Sequence, residues 1–287
     1  MAGKRTKAPE FRGFDGPRPD FKKPPVNEVV LSLQFEPLDE FNAAHIGVLW
    51  QKFRLRYPKT TTKGAIPPVI ERFGELRPQT FSFSVVEAPE VPRCWFENKA
   101  GTELIQVQRD RFLFNWKQTA AREKYVRYER VRAKFLRHLK TFERFLQENN
   151  LGKIKPNQCE ITYVNELHIG DGWLRYGQLA KVFAIWSGRH SDNFLKEPED
   201  AVFRARYSML SKQGMPLGRL HVSCDPRIRT SDGKQILRLE ITARGAPLKK
   251  TRKAAFEFFD FAREYVVRGF ASITSKRMHE IWERTDA

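Results

Sequence analysis

The stretch 103-ELIQVQRDRFLFNWK-117 decides how the fold is read. Its apolar residues alternate with polar ones, but the alternation changes phase part-way. Ile105 and Val107 share one parity; Phe112, Phe114 and Trp116 share the other. Successive side chains of a strand point to opposite faces, so one straight strand would turn half of this apolar set the wrong way. A tight hairpin or a bulge at Gln108-Arg109-Asp110-Arg111 returns both sets to one side. The spacing therefore predicts a meander of strands over 93–98, 103–108 and 111–117, with a turn at Lys99-Ala100-Gly101-Thr102. Trp95, Phe96, Phe112, Phe114 and Trp116 read as packing residues. A platform for stacking bases needs exposed rings, whereas regular alternation argues for burial.

Working outward, NEVVLSLQF at 27–35 alternates as a half-buried strand. Phe41, His45, Val48, Leu49 and Phe53 recur at helical spacing, and Pro58 closes a helix predicted over 41–57. Residues 59–78, with Pro67-Pro68, form a loop long enough to lie across the surface as a packed arm. TFSFSVVEA at 80–88 reads as another strand. A long helix over 124–150 carries Tyr128, Val131, Phe135, Leu139, Phe142 and Leu146 as one apolar stripe, and Asn149-Asn150 with Gly152 stop it.

The second half repeats this plan. NQCEITYV from Asn157 corresponds to NEVVLSLQ from Asn27, an offset of 130. A helix is expected over 172–188, strands in AVFRARYSML, GRLHVSC and QILRLEITARG, and a closing helix over 252–284. The expected fold is α+β: internally duplicated β-α-β(3-4)-α units, antiparallel sheets each packed on a long helix. That is a helix-grip or TATA-binding-protein-like plan. Residues 1–25 read as a basic disordered tail, 26–152 as the first repeat and 153–287 as the second.

Composition narrows the function. Lys plus Arg is 52 and Asp plus Glu is 34, a net charge of +18. Such an excess favours an anionic partner: nucleic acid, an acidic lipid surface or an acidic protein. Cys94, Cys159 and Cys224 are odd in number and widely spaced, which fits reduced thiols in a cytoplasmic protein and no disulfide framework. No apolar run is long enough to cross a membrane, and the first 25 residues lack the apolar core of a signal peptide.

Several segments are familiar together. PPVNEVVLSLQFEPL, RCWFENKAGTELIQVQRDRFLFNWK, YVRYERVRAKFLRHLKTFERFL and QCEITYVNEL resemble a sporadically distributed family of bacterial proteins of about this length, whose members have no assigned function. The resemblance runs from Pro24 over most of the chain, is most specific at IQVQRDRFLFNW, and is loose in the second half apart from FASITSKRMHEIWER. It implies a mobile or defence-related setting and brings no catalytic residues with it.

Motifs of catalysis are not found. The six histidines lack metal-ligand spacing, and no Walker loop, GxSxG or GxGxxG occurs, so no cofactor and no metal are expected. His221 and Cys224 stand three apart, which on a strand sends them to opposite faces. A cleft gathering Glu160, Asp171 and His221 would make a hydrolytic or nuclease site. The stronger signal is electrostatic. Arg127, Arg130, Lys134, Arg137 and Arg144 step by three, four or seven along the long helix, a cationic row suited to a phosphate backbone. Arg132 and Lys140 widen it, and Arg109 and Arg111 at the hairpin tip complete the candidate nucleic-acid site. The plain alternative for the row is the solvated outer face that every amphipathic helix has. The leading expectation is a non-enzymatic polyanion-binding protein, monomer or homodimer; the alternatives are a small-ligand binder or a structural partner of an acidic protein encoded nearby.

Overall fold

A computed structural model describes residues 9–74, 91–119, 125–188, 192, 194–229 and 232–286. Nine strands form one antiparallel sheet in the order β3-β4-β5-β6-β2-β7-β10-β9-β8. They are β2 (Val26–Phe35), β3 (Lys59–Lys63), β4 (Arg93–Glu97), β5 (Glu103–Gln108), β6 (Arg111–Lys117), β7 (Pro156–His168), β8 (Phe203–Leu210), β9 (Pro216–Ile228) and β10 (Gln235–Gly245). The class is α+β, as the patterning predicts.

The phase change in the opening stretch is a two-residue hairpin. β5 and β6 pair with Gln108 opposite Arg111 and Ile105 opposite Phe114, so both apolar sets reach one face. The tip meets the chain that leaves β2: Phe35 N–H donates to the Asp110 carbonyl and Leu38 N–H to that of Arg109. Arg109 pairs with Asp39, and Gln108 Nε2 donates to Asp110 at 2.6 Å.

Helices α2 (Tyr128–Glu148) and α4 (Arg252–Ile273) lie side by side on that apolar face. Phe112 stacks on Phe135 and Phe142, and Phe135 reaches across to Phe256 and Phe259 of α4. The fully buried Leu31, Phe114, Phe135, Ile161, Leu239 and Phe259 belong to one continuous core. The strands β2 and β7 join the two parts of the sheet, with Leu31 opposite Ile161.

Four expectations are corrected. The helix predicted over 41–57 is α1 (Ala43–Gln51), capped by Asn42 and followed by turns. The helix predicted over 172–188 shrinks to α3 (Leu179–Val182). There Gly177 lies so close to the Pro198 carbonyl that a Cβ would stand 2.1 Å from it, and Phe183 is already extended. Ala184 N–H donates to the Ile273 carbonyl and Ser275 N–H to that of Val182. The same pairing interrupts the closing helix. Thr274 is extended, Ser275 caps a new helix α5 (Lys276–Ile281), and the chain ends as β11 (Arg284–Asp286).

The fourth correction is the tail. From residue 9 it is ordered, because it has aromatic residues to bury. Phe11 and Phe14 pack on Phe261, and β1 (Pro19–Phe21) pairs with β11 while Phe21 meets Phe270 and Trp282. The strand expected at 80–88 falls outside the described residues. Among those described, no helix is long and apolar enough to cross a membrane.

Candidate binding faces

The second face of the sheet is polar, and much of it is nonetheless buried. Alternation that sends Leu31, Leu33 and Phe35 into the core sends Ser32 and Gln34 the other way, with Gln106, Gln108, Arg111, Asn115, Gln158, Thr162 and Thr242 beside them. These groups bond partly to one another. Gln106 Nε2 donates to Asn115 Oδ1 at 2.8 Å, and the Thr162 and Thr242 hydroxyls meet at 2.8 Å.

What covers part of this face is the middle of the loop expected over 59–78; its first residues are instead the edge strand β3, and 75–78 lie outside the described residues. Residues 64–73 cross the strands without joining an edge, and the sheet holds the arm by its main chain. Gln108 accepts from Ile66 N–H at 3.0 Å and donates to the Ile66 carbonyl at 2.9 Å. Gln34 accepts from Val69 N–H at 2.9 Å, and Arg111 donates to the Pro67 carbonyl at 3.2 Å. Pro67 and Pro68 suit this path, since a proline brings no N–H that would need a partner there.

The far end of the arm is anchored by charge. Glu71, 6% exposed, accepts from Arg219 at 2.6 Å and lies 2.6 Å from His221 Nε2 and 3.4 Å from Arg244. Arg219 also donates to the Arg72 carbonyl and lies over the Phe73 ring. Burial by itself would raise the Glu71 carboxyl. The hydrogen bonds from His221 and Arg219, with the nearby charges, outweigh it and hold the carboxyl at about 2. Arg244 bridges on to Glu160. Two of the three residues expected to share a cleft, Glu160 and His221, are thus gathered through Arg244 and Glu71; Asp171 lies elsewhere, in an exposed turn. His221 and Cys224 do face opposite ways, His221 to the polar face and Cys224 into the core.

The arm leaves the face incompletely satisfied. Arg111 is 5% exposed, and among the described residues it has no carboxylate in ion-pair reach and its Nε has no hydrogen-bond partner. Burial pushes its guanidinium down from the ordinary value. Gln158 Oε1, Arg93 Nε and Trp95 Nε1, on the same face, are likewise without partners.

The helical row divides. Arg130, Arg137, Lys140 and Arg144 are exposed and make no ion pair among the described residues. Arg127 pairs with Asp20, and Arg132 with Asp260. Lys134 pairs with Glu103 beneath the helix. Arg109 and Arg111 do not join the row: Arg109 sits at the hairpin tip against Asp39, and Arg111 lies on the opposite face of the sheet. Glu103 is itself the centre of a buried knot. The Tyr57 hydroxyl donates to it at 2.7 Å and lies 2.8 Å from His138 Nε2, while Arg56 caps it from solvent. Burial, then the charges of Arg56, Arg137 and Lys134, bring His138 down to about 4 despite Glu103, so the ring is neutral at pH 7. Sequence reading missed this knot because Tyr57, Glu103 and His138 are far apart in the chain and each fits a periodic pattern.

A third feature is a narrow cleft beneath α4, with only about 50 Å³ of free space, lined by Phe21, Tyr125, Tyr163, Arg263 and Phe270. Among the described residues no cluster of His, Cys, Asp and Glu could hold a metal ion. No family model matches the chain, and no curated protein matches it.

Proposed function

We propose that the chain is a non-enzymatic binding protein that takes an anionic polymer, a nucleic-acid strand, along the outer side of α2. One observation carries the reading. Arg130, Arg137 and Arg144 stand seven apart, exposed and without ion pairs, beside the equally free Lys140. Seven residues are nearly two full turns, so the three guanidinium groups share one side of a rod spanning about 21 Å. Cations left unpaired at +18 net charge keep their full attraction for phosphate, and binding releases the counterions condensed on it. Arg127 and Lys134 extend the row only by leaving Asp20 and Glu103.

The resemblance to the sporadic bacterial family supports a place in a mobile or defence-related system of the cytoplasm. An internal duplication on a TATA-binding-protein-like plan is supported by the β2–β7 join. These two strands begin 130 residues apart, at Val26 and Pro156, and pair antiparallel at the middle of the sheet.

The test is fluorescence polarisation of labelled single- and double-stranded DNA and RNA at ~50 and ~200 mM salt, the range over which phosphate contacts weaken steeply. Binding at low salt that falls with salt, and that is lost in R130A/R137A/R144A, supports the proposal. No binding at ~50 mM salt sinks it.

A further inference from the structure

We propose that the polar face of the sheet is a second binding site, for an extended peptide with an acidic side chain, and that residues 64–73 occupy it in cis. It is separate from the α2 row, which lies beyond the sheet on the other side, and it does not depend on the reading of that row.

The arm is held in the way a sheet side-chain array holds a bound peptide. Gln108 takes both the N–H and the carbonyl of Ile66, Gln34 takes the Val69 N–H, and Arg111 and Arg219 take the carbonyls of Pro67 and Arg72. All five of these contacts read main chain, and main-chain contacts accept any sequence that can extend. Specificity comes from one place, the Arg219, His221 and Arg244 cluster that receives the Glu71 carboxylate. The arm buries little of its own. Pro67, Pro68, Ile70 and Arg72 are exposed, and Ile70 is 54% so. A segment with few buried apolar contacts opens at lower free energy than the sheet beneath it.

The face is also built for more than the arm supplies. Among the described residues the buried Arg111 guanidinium has no carboxylate within ion-pair distance, and its Nε and Gln158 Oε1 have no partner. Native structures rarely leave such groups unpaired without a reason. An occupant with a second polar or acidic side chain near the Pro67 position would complete Arg111, which the arm meets with a carbonyl alone. Such a peptide would compete with the arm, so the arm sets a threshold that a true partner has to exceed.

The experiment titrates a fluorescein-labelled peptide of residues 64–74 into the full chain and reads polarisation. The expected result is weak binding to the native chain and at least tenfold tighter binding to E71A, whose arm has lost its anchor. Adding R219A/R244A to E71A should abolish the gain. No binding to E71A at 100-fold the peptide's trace concentration, or binding indifferent to R219A/R244A, overturns the proposal. Equal displacement of the peptide by a single-stranded oligonucleotide would assign the face to nucleic acid and overturn the peptide reading. Hydrogen exchange on the native chain guards against a variant that fails to fold. The Ile66 and Val69 amides should exchange at least 100-fold faster than those of β2 and β6. Exchange as slow as that of β2 would show that the arm never leaves, and the proposal falls.

Discussion

The two faces of the central sheet are made by the same strands, yet they are held by different physics. On one, Phe112, Phe114, Leu31 and Ile161 pack against α2 and α4, with a single polar knot of Tyr57, Glu103 and His138 among them. On the other, Gln34, Gln106, Gln108, Arg111 and Asn115 are as well buried, but by hydrogen bonds and an extended arm. The apolar face gains stability from area and packing, which no single contact decides. The polar face gains little net stability per bond and is costly wherever a bond is missing. The first face is therefore suited to hold the fold, and the second to exchange partners.

The largest effect should come from the apolar face. Phe114→Ala removes a fully buried ring between β6 and the helices, and a cost of about 3–5 kcal/mol is expected in urea unfolding. Gln108→Ala, six residues earlier, removes both bonds to Ile66. It should cost only about 1–2 kcal/mol, and release the arm. If the two variants cost the same, the contrast between the faces is wrong.

Acid should separate them next. His138 sits under α2 on the apolar side with its value lowered from 6.5 to about 4. An unfolded chain then binds a proton that the folded one refuses, so stability is fully present above pH 6.5 and is lost as pH falls towards 4. The full loss is about 3 kcal/mol by linkage. His138→Gln should flatten that part of the pH–stability curve. Glu71, on the polar side, is lowered from 4.5 to about 2, which moves its window down. Its contribution is complete above pH 4.5 and is lost as pH falls towards 2, and it should appear as arm release before global unfolding. Exchange of the Ile66 and Val69 amides, followed from pH 5 downwards, reads this directly, with correction for the intrinsic pH dependence of exchange. A rise that tracks β2 instead would tie the arm to the core.

Sequence reading reached one face and not the other for the same reason. Periodicity reports burial of apolar residues, so 103–117 disclosed its hairpin through the phase of Val107 and Phe112. It says nothing of polar residues buried by distant partners, and Gln108 and Arg111 looked like a turn exposed to solvent. The arm was visible only as a proline-bearing loop, and its anchor spans Glu71 to Arg219, 148 residues apart. Helices were overread where the chain pairs outside the helix. Nothing in the spacing of 172–188 shows that Ala184 bonds to Ile273. Aromatic residues in the tail were a usable signal, because Phe11, Phe14 and Phe21 are too apolar for a solvated segment.

The smallest effect on stability should come from the row on α2, where the expected change in binding is large. Arg130, Arg137 and Arg144 are exposed and make no ion pair among the described residues, so R130A/R137A/R144A should alter stability by less than about 0.5 kcal/mol. Each lost phosphate contact on duplex DNA lowers the slope of log K against log salt by about 0.9, so three should lower it by about 2.7. A matched triple change on the polar face, Q34A/Q108A/N115A, should do the reverse, lowering stability while leaving the salt slope unchanged. If the polar-face variant lost the slope and the α2 variant kept it, the nucleic acid would belong under the arm and the cations of α2 would be only a solvated surface.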